Sequence, residues 1–91
     1  MQQNKMKLEF DSRSCNEGFA RVAVAAFMTQ LNPTLEEVAD VKTAVSEAVT
    51  NAIIHGYEGS AGTITIRCRI EGETLTVEVE DTGKGIADVK L

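Results

Sequence analysis

The chain is poor in aromatic residues, proline and cysteine. Its 91 residues include no tryptophan, one tyrosine, three phenylalanines, one proline and two cysteines. The scarcity of aromatics indicates an aliphatic core. Cys15 and Cys68 lie far apart and form no CxxC or Cys/His cluster, which argues against a zinc site. Two free thiols in a reducing cytoplasm is the simplest interpretation, although the spacing by itself leaves a disulfide open.

Positive charge and long apolar runs are also scarce. Nine Lys and Arg residues against 14 Asp and Glu residues give a formal net charge of −5. Nucleic-acid binders usually carry a basic face, and electrostatic membrane anchors need clustered cations, so this composition argues against both. The longest apolar run, residues 22–28, is too short to span a bilayer, and no signal peptide is recognisable. We therefore expect a cytoplasmic protein without a membrane or nucleic-acid partner.

The apolar content, 43% of the residues, is enough for one small domain covering residues 1–91. Weak alternation over residues 7–11 predicts a short strand with Leu8 and Phe10 inward. A capping-box pattern at Ser14 and Glu17 precedes a helix predicted over 15–31, which Asn32-Pro33 should end. The stripe of this helix expected to face the core consists of Phe19, Val22, Ala23, Ala26, Phe27 and Gln30.

A second capping box, Thr34 with Glu37, predicts a longer helix that reaches about His55 and ends at Gly56. Its expected core positions are Leu35, Val38, Val41, Val45, Ala48, Val49 and Ala52. After a polar loop at 57–62, strict alternation over 64–70 and 75–79 predicts an antiparallel hairpin with one buried face. The opposite, wet face would carry the cross-strand ion-pair candidates Arg67, Arg69, Glu78 and Glu80. The order β-α-α-β-β predicts an α+β two-layer sandwich, with both helices on one face of an antiparallel or mixed sheet.

The second helix carries a polar stripe with the potential for chemistry. Glu47, Asn51 and His55 are spaced four apart, and each step turns about 40° and rises about 6 Å, so they share one side of the helix. A carboxylate, an amide and an imidazole in one stripe offer a base, a metal ligand and a hydrogen-bonding group. A solvated helix face would show the same pattern, so the stripe alone does not indicate a functional site.

A second signal stands at the end of the hairpin. Asp81 keeps the parity of Val77 and Val79 and should point to the buried face, where a carboxylate is costly unless a donor meets it. Gly83 and Gly85 follow, and glycines let a backbone approach a ligand closely. An inward carboxylate with a glycine loop behind it describes the wall of a pocket. An ordinary strand-ending turn is the alternative interpretation.

The polar stripe on the second helix and the Asp-glycine sequence after the hairpin together indicate a protein family more specifically than either does alone. The strings SEAVTNAIIHG (46–56) and DTGKG (81–85) resemble the N box and first glycine box of the GHKL ATP-binding superfamily. With NEGFARVAVAAF (16–27), the chain is similar over nearly its whole length to the anti-sigma F factors of spore-forming bacteria, a family of serine kinases. No match to an ATP lid or a second glycine box follows Gly85, so the chain resembles a C-terminally truncated, partial histidine kinase-like ATPase domain.

The resemblance implies a role for each matching position. Asn51 would coordinate Mg²⁺ at the ATP phosphates, and Glu47 would be the general base for a serine hydroxyl. Asp81 would bind the adenine amino group, with Gly83 and Gly85 close to the nucleotide. Arg21 matches an arginine that the family uses against its sigma factor, although a solvated helix arginine is the simpler alternative. His55 is given no catalytic role.

The resemblance also implies partners. The family binds a sporulation sigma factor, phosphorylates an anti-anti-sigma protein on serine, and works as a homodimer. Two other hypotheses stay open. The chain would be a non-enzymatic module for sigma binding and dimerisation if the absent boxes are essential for catalysis. Alternatively, it would be a fragment of a histidine kinase catalytic domain, because those kinases share both boxes.

Overall fold

The computed structural model describes residues 3–56, 62–81 and 85–90, and the side chains of residues 3–54 and 62–81. Four strands and two helices follow one another as β1 (Gln3–Asp11), α1 (Asn16–Met28), α2 (Leu35–Gly56), β2 (Thr63–Glu71), β3 (Thr74–Asp81) and β4 (Gly85–Lys90), with a short 3₁₀ turn (Thr29–Leu31) after α1. The strands form one sheet in the order β1-β2-β3-β4, and each pairing is antiparallel. The predicted α+β two-layer sandwich is confirmed.

The core lies between the helices and one face of the sheet. Inward residues of the central hairpin alternate as predicted, and all are nearly or fully buried: Ile64, Ile66, Cys68, Ile70, Leu75, Val77 and Val79. They form one cluster with buried residues of both helices, and Met6, Leu8 and Phe10 of β1 pack against it from the side. The hairpin turn is a two-residue loop, Gly72-Glu73, in which Gly72 has φ 64°. Glycine suits that turn because it adopts positive φ without strain.

The predicted core stripe of α1 is wrong except at Phe27, which packs partly against the core. The buried residues are Ala20, Val24, Ala25 and Met28. Phe19 is 53% exposed and Val22 58% exposed. Apolar residues occupy most of the circumference of α1, so helical spacing did not distinguish two apolar faces. The face that carries Val24 and Met28 packs against the core, and the face that carries Phe19 and Val22 remains at the surface.

The core face of α2 is confirmed at its centre and wrong at its beginning. Val41, Val45, Val49 and Ala52 are buried, and Val38 and Ala48 pack partly against the cluster. Leu35, the first residue of α2, is 90% exposed. The core cluster reaches α2 from Val38 onward, so a residue on the first turn has no apolar neighbour to cover it.

One of the two predicted capping boxes forms. Thr34 Oγ1 accepts from the Glu37 N–H at 3.1 Å, and Glu37 Oε1 accepts from the Thr34 N–H at 2.8 Å. At α1 the prediction is wrong, because the helix begins at Asn16 with Cys15 at the N-cap and no side-chain cap. Ser14 therefore lies one position too early. The Asn16 side chain donates instead to the Asp11 carbonyl at 2.9 Å, which ties α1 to the end of β1.

The sheet is larger than the sequence predicted. β1 begins at Gln3 rather than at residue 7, and β4 was missed altogether. Gly85, expected in the glycine loop, is instead the first residue of β4 and lies opposite Asp81. Residues 82–84 lie outside the described residues. Most of the predicted polar loop, residues 57–61, lies outside them too. β4 is short and contains one glycine and two charged residues, which left its alternation too weak to recognise.

Candidate functional site

Glu47 and Asn51 lie on the outer side of α2. The helix is continuous over Leu35–Gly56, so the predicted stripe stands on one helix, with its residues a turn apart. Both side chains are exposed, because the buried residues Val45, Val49 and Ala52 hold the opposite side of α2 on the core. In the described part of the chain no hydrogen bond or ion pair joins Glu47 to Asn51. The side chain of His55 lies outside the description.

An open groove of about 530 Å³ runs between α1 and α2. Its lining residues are Glu17, Arg21, Val22, Ala39, Lys42, Thr43, Ser46 and Glu47. Arg21 and Glu47, which the sequence singled out for separate reasons, therefore lie on one surface. Asn51 is not among the lining residues.

The groove is lined by charges of both signs and by a buried hydroxyl group. Glu17 and Glu47 provide carboxylates, while Arg21 and Lys42 provide cations. Ser46 Oγ is buried and makes no hydrogen bond within the described ranges. A surface of this kind suits a polar protein partner better than an apolar small molecule. Sequence reasoning missed Lys42 and Ser46, since neither interrupts a pattern. Their only signal is that they lie four residues apart on α2 and therefore share a side of the helix.

Asp81 stands apart from this groove, at the end of β3. Its parity is confirmed, since it is 9% exposed and lies opposite Ile64, which is fully buried. A carboxylate at such a position is stable only where hydrogen-bond donors contact it. Because its two oxygens accept several hydrogen bonds, it can also accept one from a donor group of a ligand. Gly85 opens β4 directly opposite Asp81. Gly83 lies outside the described residues.

The outer face of the sheet carries a second polar surface. Lys5 lies opposite Arg69 and Lys7 opposite Arg67, and these four residues line a shallow cavity of about 430 Å³. Of the expected cross-strand pairs, Arg67 contacts Glu80 at 2.8 Å, whereas Arg69 contacts Glu71 on its own strand at 2.8 Å. The hydrogen bond to Glu80 raises the pKa of Arg67. Exposed pairs of this kind contribute little to stability.

Comparison with known proteins assigns the family. Residues 11–91 match the model of the histidine kinase-like ATPase domain. The chain belongs to this family, whose nucleotide-binding fold agrees with the two-layer sandwich described above.

Curated relatives narrow the resemblance further. The chain is 62% identical over 87 residues to the Anti-sigma F factor of Thermoanaerobacter sp. (strain X514), covering 96% of this chain and 61% of the relative. It is 63% identical over 91 residues to the Anti-sigma F factor of Clostridium novyi (strain NT), covering 99% and 64%. That of Clostridium kluyveri (strain ATCC 8527) is 58% identical over 91 residues. The similarity to anti-sigma F factors is therefore confirmed, and the chain spans less than two thirds of their length.

No helix in the described ranges is long and apolar enough to cross a membrane.

Proposed function

We propose that this chain acts as an anti-sigma factor with ATP-dependent protein serine kinase activity. In this proposal it binds a sporulation sigma factor, phosphorylates an anti-anti-sigma protein on serine, and works as a homodimer. The observation that carries the proposal is the groove between α1 and α2, where Arg21 and Glu47 lie on one surface. The sigma factor bound at Arg21 and the anti-anti-sigma protein whose serine approaches Glu47 would therefore share this surface.

Nucleotide binding is assigned to the residues outside the groove. Asp81 would accept a hydrogen bond from the adenine amino group, with the backbone at Gly83 and Gly85 beside the nucleotide. Asn51 would supply an amide oxygen to Mg²⁺, which fits that cation because Mg²⁺ takes few protein ligands and keeps waters and substrate phosphates. When bound, Mg²⁺ would neutralise charge on the phosphates. The exposure of Asn51 on α2 leaves its amide accessible for this role.

Glu47 would act as the general base. Its exposed carboxylate can accept the proton of a serine hydroxyl while the serine oxygen bonds to the γ-phosphorus of ATP. The bond between that phosphorus and the bridging oxygen breaks, and ADP and phosphoserine are the products. Most of the rate in such a transfer comes from positioning and charge neutralisation, so a single base is a sufficient complement.

The kinase proposal is tested by Glu47→Gln. We expect the rate of serine phosphorylation to fall at least roughly 100-fold, since a general base contributes about that much or more, while ATP affinity stays unchanged. Asp40→Asn is the matched control, because Asp40 is exposed on α2 two turns before Glu47. Equal rates for Glu47→Gln and the parent chain would contradict the assignment.

Partner binding is tested by Arg21→Glu. Charge reversal in the groove should weaken binding of the sigma factor, measured by surface plasmon resonance, because rim charges steer and hold protein partners. Arg13→Glu serves as the control, since Arg13 is exposed but does not line the groove. Equal losses in both variants would show that only net charge matters.

A non-enzymatic sigma-binding module is the second candidate, favoured by the charges of both signs in the groove, which suit a protein partner without any nucleotide. It predicts the same sigma affinity with and without Mg·ATP. The kinase proposal predicts that nucleotide changes this affinity, so one titration performed in both conditions separates the two functions.

A further inference from the structure

Two like-charge pairs stand side by side on the outer face of the sheet, the face turned away from the helices. Lys5 lies opposite Arg69, and Lys7 lies opposite Arg67, on the neighbouring strands β1 and β2. All four side chains are exposed, and we call these four residues the cationic patch. Like charges directly opposite each other destabilise a sheet, so the two pairs point to a role outside folding.

The strand ladder brings these like charges close together. The Ser12 N–H donates to the Gly62 carbonyl at 2.8 Å, which continues the register of β1 and β2. Because the two kinds of pair alternate along an antiparallel ladder, the even-numbered residues of β1 form hydrogen-bonded pairs and the odd-numbered residues form non-hydrogen-bonded pairs. Lys5 and Lys7 are therefore in non-hydrogen-bonded pairs, in which the Cα atoms lie about 4.5 Å apart and the side chains come closest.

Carboxylates of the chain contact three of these cations from outside the cavity that the patch lines. The contacts are Lys7–Glu9 at 3.7 Å, Arg67–Glu80 at 2.8 Å and Arg69–Glu71 at 2.8 Å. None of these three carboxylates is among the described residues that line the cavity of about 430 Å³. Lys5 makes no ion pair within the described ranges. Exposed ion pairs are weak, so the cations can bind another anion.

The two arginines keep hydrogen-bond donors for a ligand. Arg67 contacts its carboxylate through Nη1, and Arg69 contacts its own through Nε. A guanidinium carries five N–H donors in a planar fork, so Arg69 retains both terminal nitrogens and Arg67 retains Nε and Nη2. Such a fork binds a carboxylate through two parallel hydrogen bonds.

The cationic patch is only two residues long in the direction of the strands. Its two pairs are about 6.7 Å apart, because one inward residue lies between them on each strand. On the outer face, Glu9 follows the patch on β1, Glu71 follows it on β2, and Glu78 lies beside it on β3. A long polyanion would therefore meet carboxylates on three sides, whereas a short anionic group would not.

We propose that the cationic patch binds an extended acidic segment of a partner protein, through two carboxylates that stand two residues apart. Side chains two residues apart on an extended chain point to the same side, and their spacing is that of the two pairs. Each carboxylate then lies between a lysine and an arginine. The patch concentrates four of the nine cations in a chain of net charge −5, so its sign is opposite to that of the whole protein. It lies across the sheet from the groove between α1 and α2 and is separate from it.

Fluorescence anisotropy with labelled peptides tests the proposal. One peptide carries Glu-Thr-Glu between flanks of glycine and serine. Its matched control carries Thr-Glu-Glu, which has the same composition but cannot place both carboxylates on one side of an extended chain. We expect the first peptide to bind with an affinity that falls as salt is added, and the control to bind at least about tenfold more weakly, because one charge-assisted contact is lost. Equal affinities, or no binding of the first peptide, would overturn the proposal.

Substitution of one arginine tests the residues of the patch. Arg69→Gln should lower the affinity for the Glu-Thr-Glu peptide at least about tenfold, since it removes a bidentate donor. Arg13→Gln is the matched control, because Arg13 is exposed and does not line the cavity. If both variants lose affinity equally, the peptide responds to net charge alone and the assigned site is wrong.

A competition experiment distinguishes the proposed partner from nucleic acid, the other extended anion that cations attract. Unlabelled Glu-Thr-Glu peptide should displace the labelled peptide at a lower concentration than a thymidine oligonucleotide does. The reverse order would assign the patch to nucleic acid and overturn the proposal.

Chemical denaturation gives a readout that needs no ligand. Lys5→Gln removes one of the two like-charge pairs, so it should raise the urea midpoint of unfolding while it weakens binding of the Glu-Thr-Glu peptide. A midpoint at or below that of the parent chain would contradict the repulsion between Lys5 and Arg69. These measurements use neither nucleotide nor sigma factor, so their failure is distinguishable from failure of the proposed kinase.

Discussion

At the scale of single residues, two ionisable groups lie on the inner face of the sheet among the described side chains, Cys68 on β2 and Asp81 on β3. Both follow the alternation of their strands, and the sequence predicted both positions for that reason. Both cysteines are free, as the simplest interpretation of their spacing held. Burial raises the pKa of the Cys68 thiol to about 11, because desolvation penalises the thiolate.

This shift makes thiol reactivity a probe of the fold. Near neutral pH, Cys15, which is exposed, should react with iodoacetamide, whereas Cys68 should react only after denaturation. Mass spectrometry of the native and unfolded chain counts the modified thiols. Fast modification of Cys68 in the folded chain would contradict its place in the core.

The same thiol predicts how stability depends on pH. The pKa of the Cys68 thiol is 9.0 in the unfolded chain and about 11 in the folded chain. Between those values the unfolded state binds fewer protons than the folded state, so the free energy of unfolding falls as pH rises. Urea titrations from pH 8 to 11 measure this loss, and Cys68→Ala should flatten the part of the slope that belongs to the thiol.

Individual residues also show which features could be predicted from the sequence and which could not. The burial of Asp81 follows from parity, which depends only on strand geometry. That Arg21 and Glu47 line one groove depends on how α1 and α2 pack, and local spacing carries no information on that packing. Ser46 Oγ is buried for the same reason.

At the scale of secondary-structure elements, the two helix starts differ although their sequences share a capping-box pattern. Thr34 and Glu37 make both reciprocal hydrogen bonds, whereas α1 begins beyond Ser14. We expect Thr34→Ala to lower the free energy of unfolding by about 1 kcal/mol, the usual cost of a lost N-cap. Ser14→Ala is the matched control and should change it little, as chemical denaturation would show. Similar losses in both variants would mean that the first box also forms.

The amphipathic patterns predicted where the helices and strands lie in the sequence better than they predicted which face of each is buried. Alternation placed the β2–β3 hairpin correctly because each strand has one apolar and one charged face. In α1 two apolar faces compete, and only the packed structure shows that Val24 is buried and Val22 is not. The missed strand β4 has the opposite difficulty, since few apolar residues mark either of its faces.

At the scale of the whole molecule, the proposed functions meet on helix α2, which carries Glu47 in the groove and Asn51 one turn further on. The groove between the helices would receive protein partners, and Asn51 and Asp81 would hold the nucleotide. Sequence motifs supplied Arg21, Glu47, Asn51 and Asp81. Lys42 and Ser46 emerged only from the packing of α1 against α2.

The proposed kinase requires that this chain bind Mg·ATP through Asn51 and Asp81, and isothermal titration calorimetry measures that binding. We predict Mg²⁺-dependent binding of ATP to the 91-residue chain, lost in Asn51→Ala and retained in Asp40→Ala, an exposed position on the same helix. Far-UV circular dichroism on each sample confirms that it is folded. A folded parent chain that binds no ATP, or an Asn51→Ala variant that binds as the parent does, would contradict the account.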